Sequence, residues 1–156
     1  MELSVSSLEV HTLSGAGGTC LRSAIAVKAG AVLARFGGTE APAPARHTIQ
    51  IDIARHIDLE PECLRYTNHS CDPNVGFDMP RRLVIALRDL RAGEELQYFY
   101  PSTEWQMAEP FACHCKSPHC VGLVRGAADL DPLLLARHSL APHIHTLLQR
   151  RADAGQ

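Results

Sequence analysis

Three cysteines, Cys113, Cys115 and Cys120, stand in the run CHCKSPHC, a C-x-C-x4-C spacing. Thiols this close together in a reducing compartment bind metal. Three thiolates leave a tetrahedral zinc one ligand short, and His114, His119 or a distant cysteine can supply the fourth. The competing reading is three small packed residues, but Pro118 and the two histidines mark an exposed loop. The chain has 6 cysteines. An even count suits disulfides only in an oxidising compartment, and nothing here targets one. Cys20 and Cys63 are isolated and read as packed thiols. A second concentration of chemistry is RYTNHSCDPN at 65–74, polar and turn-rich between apolar runs. Such a loop carries function more often than packing.

The elements that must position these groups fit in one domain. The chain has 156 residues, 46% hydrophobic and 21% charged, which is globular composition with room for a core. A formal net charge of -2 argues against strong direct nucleic-acid binding. No apolar run approaches the roughly 20 residues of a membrane helix. Residues 1–10 lack the pattern of a secretory signal, so the expected location is cytoplasm or nucleus.

Residues 1–14 read as one short strand or an extended entry, and GAGG at 15–18 as a tight glycine turn. SAIAVKAGAVLARF reads as strand, turn, strand, and APAPAR at 41–46 as a loop. HTIQIDIARHI at 47–57 alternates at Ile49, Ile51 and Ile53 and predicts one half-buried strand. A short helical link is expected at 59–64, a strong strand at 81–90, a turn at 91–94, a strand at 95–100 and loop at 101–120. In the tail, 127–151, apolar residues recur at helical spacing, with Pro132 and Pro142 dividing two short helices. The tail serves packing or a homodimer surface. His138, His143 and His145 read as surface histidines. The expected class is mainly β or α+β.

Asn68-His69-Ser70-Cys71-Asp72-Pro73-Asn74, then Gly93-Glu94-Glu95-Leu96 leading to Tyr100, then Cys113, Cys115 and Cys120 occur in a telling order. Together they resemble the signatures of the SET-domain protein lysine methyltransferases, over about residues 14–126. The resemblance implies a fold of small curved β-sheets around a knot-like crossing, with a SET domain at 1–110, a post-SET zinc lid at 111–126 and short C-terminal helices at 127–156. It also implies S-adenosylmethionine as methyl donor and a protein lysine, in a histone or another protein, as acceptor.

The chemistry is an in-line displacement by a neutral amine. Free lysine has a pKa near 10.4, so a proton must leave first, and a narrow dry channel helps by disfavouring the ammonium. By resemblance Tyr100 is the catalytic tyrosine. Tyr98 stands at the position that tunes product degree, where a tyrosine implies mono- or dimethylation. Asn68 and His69 resemble residues that bind the cofactor, largely through backbone groups. Tyr66 and Phe111 are expected to pack near it, and Arg65 to pin the crossing. Cys71 becomes the fourth ligand of a structural zinc.

Three departures stand out. Where the family has G-x-G, this chain has Gly18-Thr19-Cys20, or Gly15-Ala16-Gly17 in a shifted register. Phe99 stands where an acid or amide is common, on the opposite strand face from the tyrosines. Leu123 and Val124 replace an aromatic after the third thiol of the lid. The segment between 38 and 64 is short and gives little surface for reading a long peptide. Two further readings stay open: a catalytically silent, zinc-stabilised binding module, and a SET-fold enzyme acting on a small molecule.

Overall fold

Asn68–His69 and Gln97–Tyr98 are remote in sequence but run side by side, in parallel. Parallel neighbours need a crossover, and the chain between them supplies it as two antiparallel strands and turns. The computed structural model describes residues 4–15 and 18–156. Ala16 and Gly17, and so the shifted glycine register, lie outside the described residues.

β1 (Leu8–Thr12) pairs antiparallel with β2 (Thr19–Ser23). β3 (Val32–Arg35), β9 (Leu83–Ala86) and β8 (Val75–Asp78) form a sheet with β9 at its centre. The near-continuous apolar run Leu83-Val84-Ile85-Ala86 suits a central strand, and Val84 and Ala86 are almost wholly buried. β4 (Glu40–Ala41), β6 (His56–Asp58) and β5 (Thr48–Gln50) make a second three-stranded sheet. β7 (Asn68–His69) lies beside β10 (Gln97–Tyr98), and β11 (Phe111–Ala112) beside β12 (Leu123–Val124). The helices α1 (Pro132–Leu135) and α2 (Pro142–Ala154) close the chain. Small sheets with few helices match the expected mainly β or α+β class. No helix among the described residues is long and apolar enough to cross a membrane.

Several element boundaries differ from the pattern reading. The first strand of the 19–36 region is β2, upstream of the apolar run; that run keeps one bridge, Val27 to Leu90. The stretch 47–57 is no single strand. It folds back as β5 and β6, because the Gln50 side chain bonds the Asp52 and Ile53 carbonyls and closes a turn. Pro132 and Pro142 open α1 and α2, where a missing N–H costs nothing. Leu135 and Ile144 of these helices are fully buried. Each contributes about 1.5–3 kcal/mol by leaving water, so the tail is part of the core.

Two tail histidines are also not surface groups. His138 stacks on Phe99, ring centroids 3.7 Å apart and planes 9° from parallel. His143 is buried, with Nε2 2.7 Å from the Thr103 carbonyl oxygen. The apolar Phe99 thus faces away from the tyrosines, as alternation along a strand requires, and seats the tail.

Candidate active site

The polar loop 65–74 and the turn at 91–95 are stitched together by two asparagines. Asn68 Nδ2 donates to the Thr19 carbonyl and to Glu95 Oε1, both at 3.0 Å. Asn74, 3% exposed, donates through Nδ2 to the Glu95 carbonyl at 2.7 Å and to Glu94 Oε1 at 3.2 Å. Its Oδ1 accepts the Gln97 N–H at 2.8 Å. Burial works against ionising Glu94. The Arg88 guanidinium, the Arg91 N–H and Asn74 outweigh it and bring the carboxyl down to about 2. These bonds set the register in which Tyr98 lies opposite His69.

Aromatic rings line up from there. Phe77 meets Tyr98 at 4.6 Å, and Tyr98 meets Tyr100 at 4.6 Å. Phe111 stands 5.9 Å from both Tyr100 and His69. The Tyr100 hydroxyl donates to the Thr67 carbonyl at 2.9 Å. Burial raises both phenol pKa values, and the nearby Glu104 adds to the rise. Both tyrosines therefore stay protonated at neutral pH and act as hydroxyls, not phenolates.

A cavity of about 910 Å³ runs along the His69, Tyr98, Tyr100 and Phe111 rings, large enough for a drug-sized guest. Gly18, Thr19, Asn68 and Glu95 form one stretch of its wall, and Tyr98, Tyr100 and Phe111 another. Tyr66 and His69 also face it. Gly18 has φ +70, a conformation that side chains resist, with open space where a Cβ would project. Of the candidate site residues, Cys20 alone among 18–20 is off this wall: its side chain is fully enclosed in β2. Arg65 Nε donates to the Leu59 carbonyl at 2.7 Å, a pinning bond, while the residue also lines the cavity.

Cys71, Cys113, Cys115 and Cys120 converge, with all four sulfurs within 4.8 Å of one another. Cys71 and Cys113 are 3.9 Å apart. A tetrahedral zinc with sulfurs at about 2.3 Å sets S···S near 3.8 Å, so the set fits such an ion. Neither His114 nor His119 belongs to the cluster. Burial opposes ionising Cys115. The Ser117 N–H and neighbouring thiols prevail and bring it down to about 6, while burial pushes the Cys71 and Cys113 thiols up, so Cys115 is the first of the set to ionise. The lid carrying these thiols borders the cavity through 107–115. Gly126 (φ +116) passes so close to the Trp105 and Gln106 backbone that a Cβ would collide with it.

Glu104 and His56 are among the wall residues not picked out from the sequence. Glu104 follows Tyr100 by four positions, the spacing at which one turn places two side chains together. That was the available signal, and it depends on knowing that the segment after Tyr100 turns.

A family model described as "SET domain" matches residues 35–101. "Methyltransferase flvH" of Aspergillus flavus is 41% identical over 130 residues, covering 81% of this chain and 72% of that relative. The chain belongs to the SET-domain family. The H3 lysine-36 specific histone-lysine N-methyltransferase of Aspergillus oryzae is 38% identical over 73 residues. That match covers 43% of this chain but 8% of the relative, so the SET chain here is a small part of such enzymes. Among solved structures, KRYPTONITE in complex with mCHG DNA and SAH superposes with TM-score 0.58 at 21% identity, covering 74% of this chain and 28% of that one. The methyltransferase domain of human SETMAR gives TM-score 0.59 at 17% identity, covering 76% and 58%. These likenesses show the SET fold. Family membership makes the chain a SET-domain methyltransferase homologue, with Tyr98 and Tyr100 on the cavity wall.

Proposed function

We propose that the protein is an S-adenosylmethionine-dependent protein lysine N-methyltransferase carrying one structural zinc. The observation that carries this reading is the 910 Å³ cavity. It joins Gly18, Thr19, Asn68 and His69 to the paired rings of Tyr98 and Tyr100 and is bordered by the four-cysteine lid. When bound, the cofactor supplies an electrophilic methyl group. Tyr100, fixed through Thr67, orients the attacking amine, and Tyr98 narrows the space so that mono- or dimethylation is the outcome. Cys71, Cys113, Cys115 and Cys120 hold the zinc. Four protein ligands leave no open position, so the ion ties the lid to residue 71 and takes no part in transfer.

The names of the histone-lysine relatives support a histone acceptor and a nuclear setting. A small-molecule amine is the second reading. It is favoured by the short 38–64 segment, whose structure is three two- or three-residue strands and a turn of 3-10 helix. Calorimetric titration with S-adenosylhomocysteine separates both from a silent binding module. Saturable binding, abolished when bulk is added at Gly18, is expected; no binding would leave only the module.

A further inference from the structure

Glu104 is held in place where an acid finds little support. Its N–H donates to the Tyr100 carbonyl at 3.0 Å, so both side chains leave one turn on the same side. The carboxylate is 9% exposed and lies on the cavity wall with Tyr98, Tyr100 and His56. Its oxygens share the backbone N–H of Gln50 at 3.1 and 3.0 Å. Gln50 is itself fixed by accepting the Trp105 N–H at 2.8 Å. A carboxylate offers about four acceptor sites, and one shared N–H leaves most of them open. Burial, opposed by that N–H, pushes Glu104 up to about 8.

Other titratable groups share this wall, among them His47, whose Nδ1 is buried without a hydrogen-bond partner. The two phenols are neutral. His56 Nε2, on β6, stands 3.9 Å away, and burial with the nearby His143 lowers the pKa of its ring. His143, on α2, meets the Thr103 carbonyl with Asp52 beyond it. Arg46 and Glu95, on the cavity wall, act on Tyr100 from opposite signs of charge.

We propose that Glu104 is the amine-receiving group of the cavity: its carboxylate pairs with the incoming alkylammonium and takes its proton. This inference rests on the methyl-transfer reading for the reaction, though not for the binding. The ammonium and carboxylate become amine and carboxylic acid. The freed nitrogen lone pair then forms the N–C bond to the methyl of a sulfonium donor as the C–S bond breaks, its electron pair staying on sulfur. Glu104 keeps that proton as the methylated ammonium departs and gives it up to solvent when the next alkylammonium binds.

The probe is n-butylammonium, titrated by calorimetry at pH 7 in buffers of different ionisation enthalpy. The wild type is expected to bind it with release of close to one proton. Glu104→Gln, whose amide oxygen can still accept the Gln50 N–H, should bind at least tenfold more weakly and release none. Equal affinity and equal proton release would overturn the proposal. In methyl transfer, Glu104→Gln should lose about 100-fold in kcat/KM and the inflection near pH 8, with S-adenosylhomocysteine binding unchanged. Glu104-dependent butylammonium binding without transfer to any acceptor would keep the amine site and remove the transfer reading. Transfer at the wild-type rate in Glu104→Gln would do the reverse. Should that variant not fold, carbon-13 titration of the wild-type Glu104 carboxyl decides: butylammonium must lower its pKa, and an unmoved titration refutes the role.

Discussion

His69 accepts the backbone N–H of Tyr100 on Nδ1 at 3.1 Å and presents Nε2 to Cys71 Sγ at 3.3 Å. A backbone N–H can only donate, so Nδ1 is the acceptor and Nε2 carries the proton of the neutral ring. Burial, with a smaller contribution from His138, brings the ring's pKa down to about 4, which keeps it neutral. One imidazole therefore links the backbone that bears the Tyr100 phenol to the four-cysteine cluster. The resemblance assigns His69 to the cofactor through its backbone; the ring has this second task.

His69→Leu should loosen both ends at once. The Tyr100 N–H loses its acceptor, at about 1–3 kcal/mol. Zinc affinity should fall 10–100-fold, as when the partner of a metal ligand is removed. Chelator competition and urea unfolding measure the two losses, and a variant that changes neither contradicts the linkage.

Metal analysis should find one zinc per chain, lost on Cys113→Ser. Stripping the ion should abolish methyl transfer and free 107–120, whereas the β3-β9-β8 sheet, which contains none of the ligands, should retain its circular dichroism. Full activity in a metal-free chain would show that the lid closes without an ion.

Asn74→Ala should destabilise by about 2–4 kcal/mol, because it strands the Gln97 N–H and the Glu95 carbonyl together. Asn74→Asp restores the acceptor but sets a carboxylate against Glu94 and Glu95, so it should be worse than Ala at pH 7 and recover partly in acid. Chemical denaturation at pH 7 and pH 4 checks the order.

The buried histidines should make the fold sensitive to mild acid. Burial lowers the His143 pKa against the opposing Thr103 bond and Asp52 charge, and burial does the same to His138 and His56. Below about pH 6.5 the unfolded chain takes up protons that the folded chain refuses. The stabilisation is therefore complete above that pH and drains away as pH falls through the folded values. Glu104, pushed up to about 8, takes its proton earlier in the folded chain and works the other way, so the histidine effect is read in Glu104→Gln: there Tm should drop between pH 7 and 5, and adding His143→Gln, whose amide can still donate to the Thr103 carbonyl, should flatten the slope. An unchanged slope would assign the loss to other groups.

Legibility in the sequence followed the range of the interactions. The thiol spacing, the NHSC loop and the tyrosine strand were visible because each is local and chemically unusual. Short strands were harder: the 47–57 run alternates well enough for one strand, and only the Gln50 side chain, bonding Asp52 and Ile53, turns it into two. Phe99 and His138 meet across 39 positions, and nothing in either neighbourhood announces that stack. Glu104 escaped notice because its importance comes from burial, which periodicity does not report in a segment without regular structure. Cys71 as the fourth sulfur came from family resemblance; spacing alone left two histidines and a distant cysteine in contention.

The central claim is methyl transfer at the Tyr98–Tyr100 wall, and isotopically labelled S-adenosylmethionine tests it most directly. Core histones, a soluble proteome and small alkylamines serve as acceptors beside Tyr100→Phe. That variant loses one hydroxyl and its bond to Thr67, which costs about 1 kcal/mol of stability, so it should fold. Label should enter a lysine amine in the wild type and fall at least about 100-fold in the variant, the scale of a misplaced reacting group. Label that reaches every acceptor equally well in Tyr100→Phe would contradict the account.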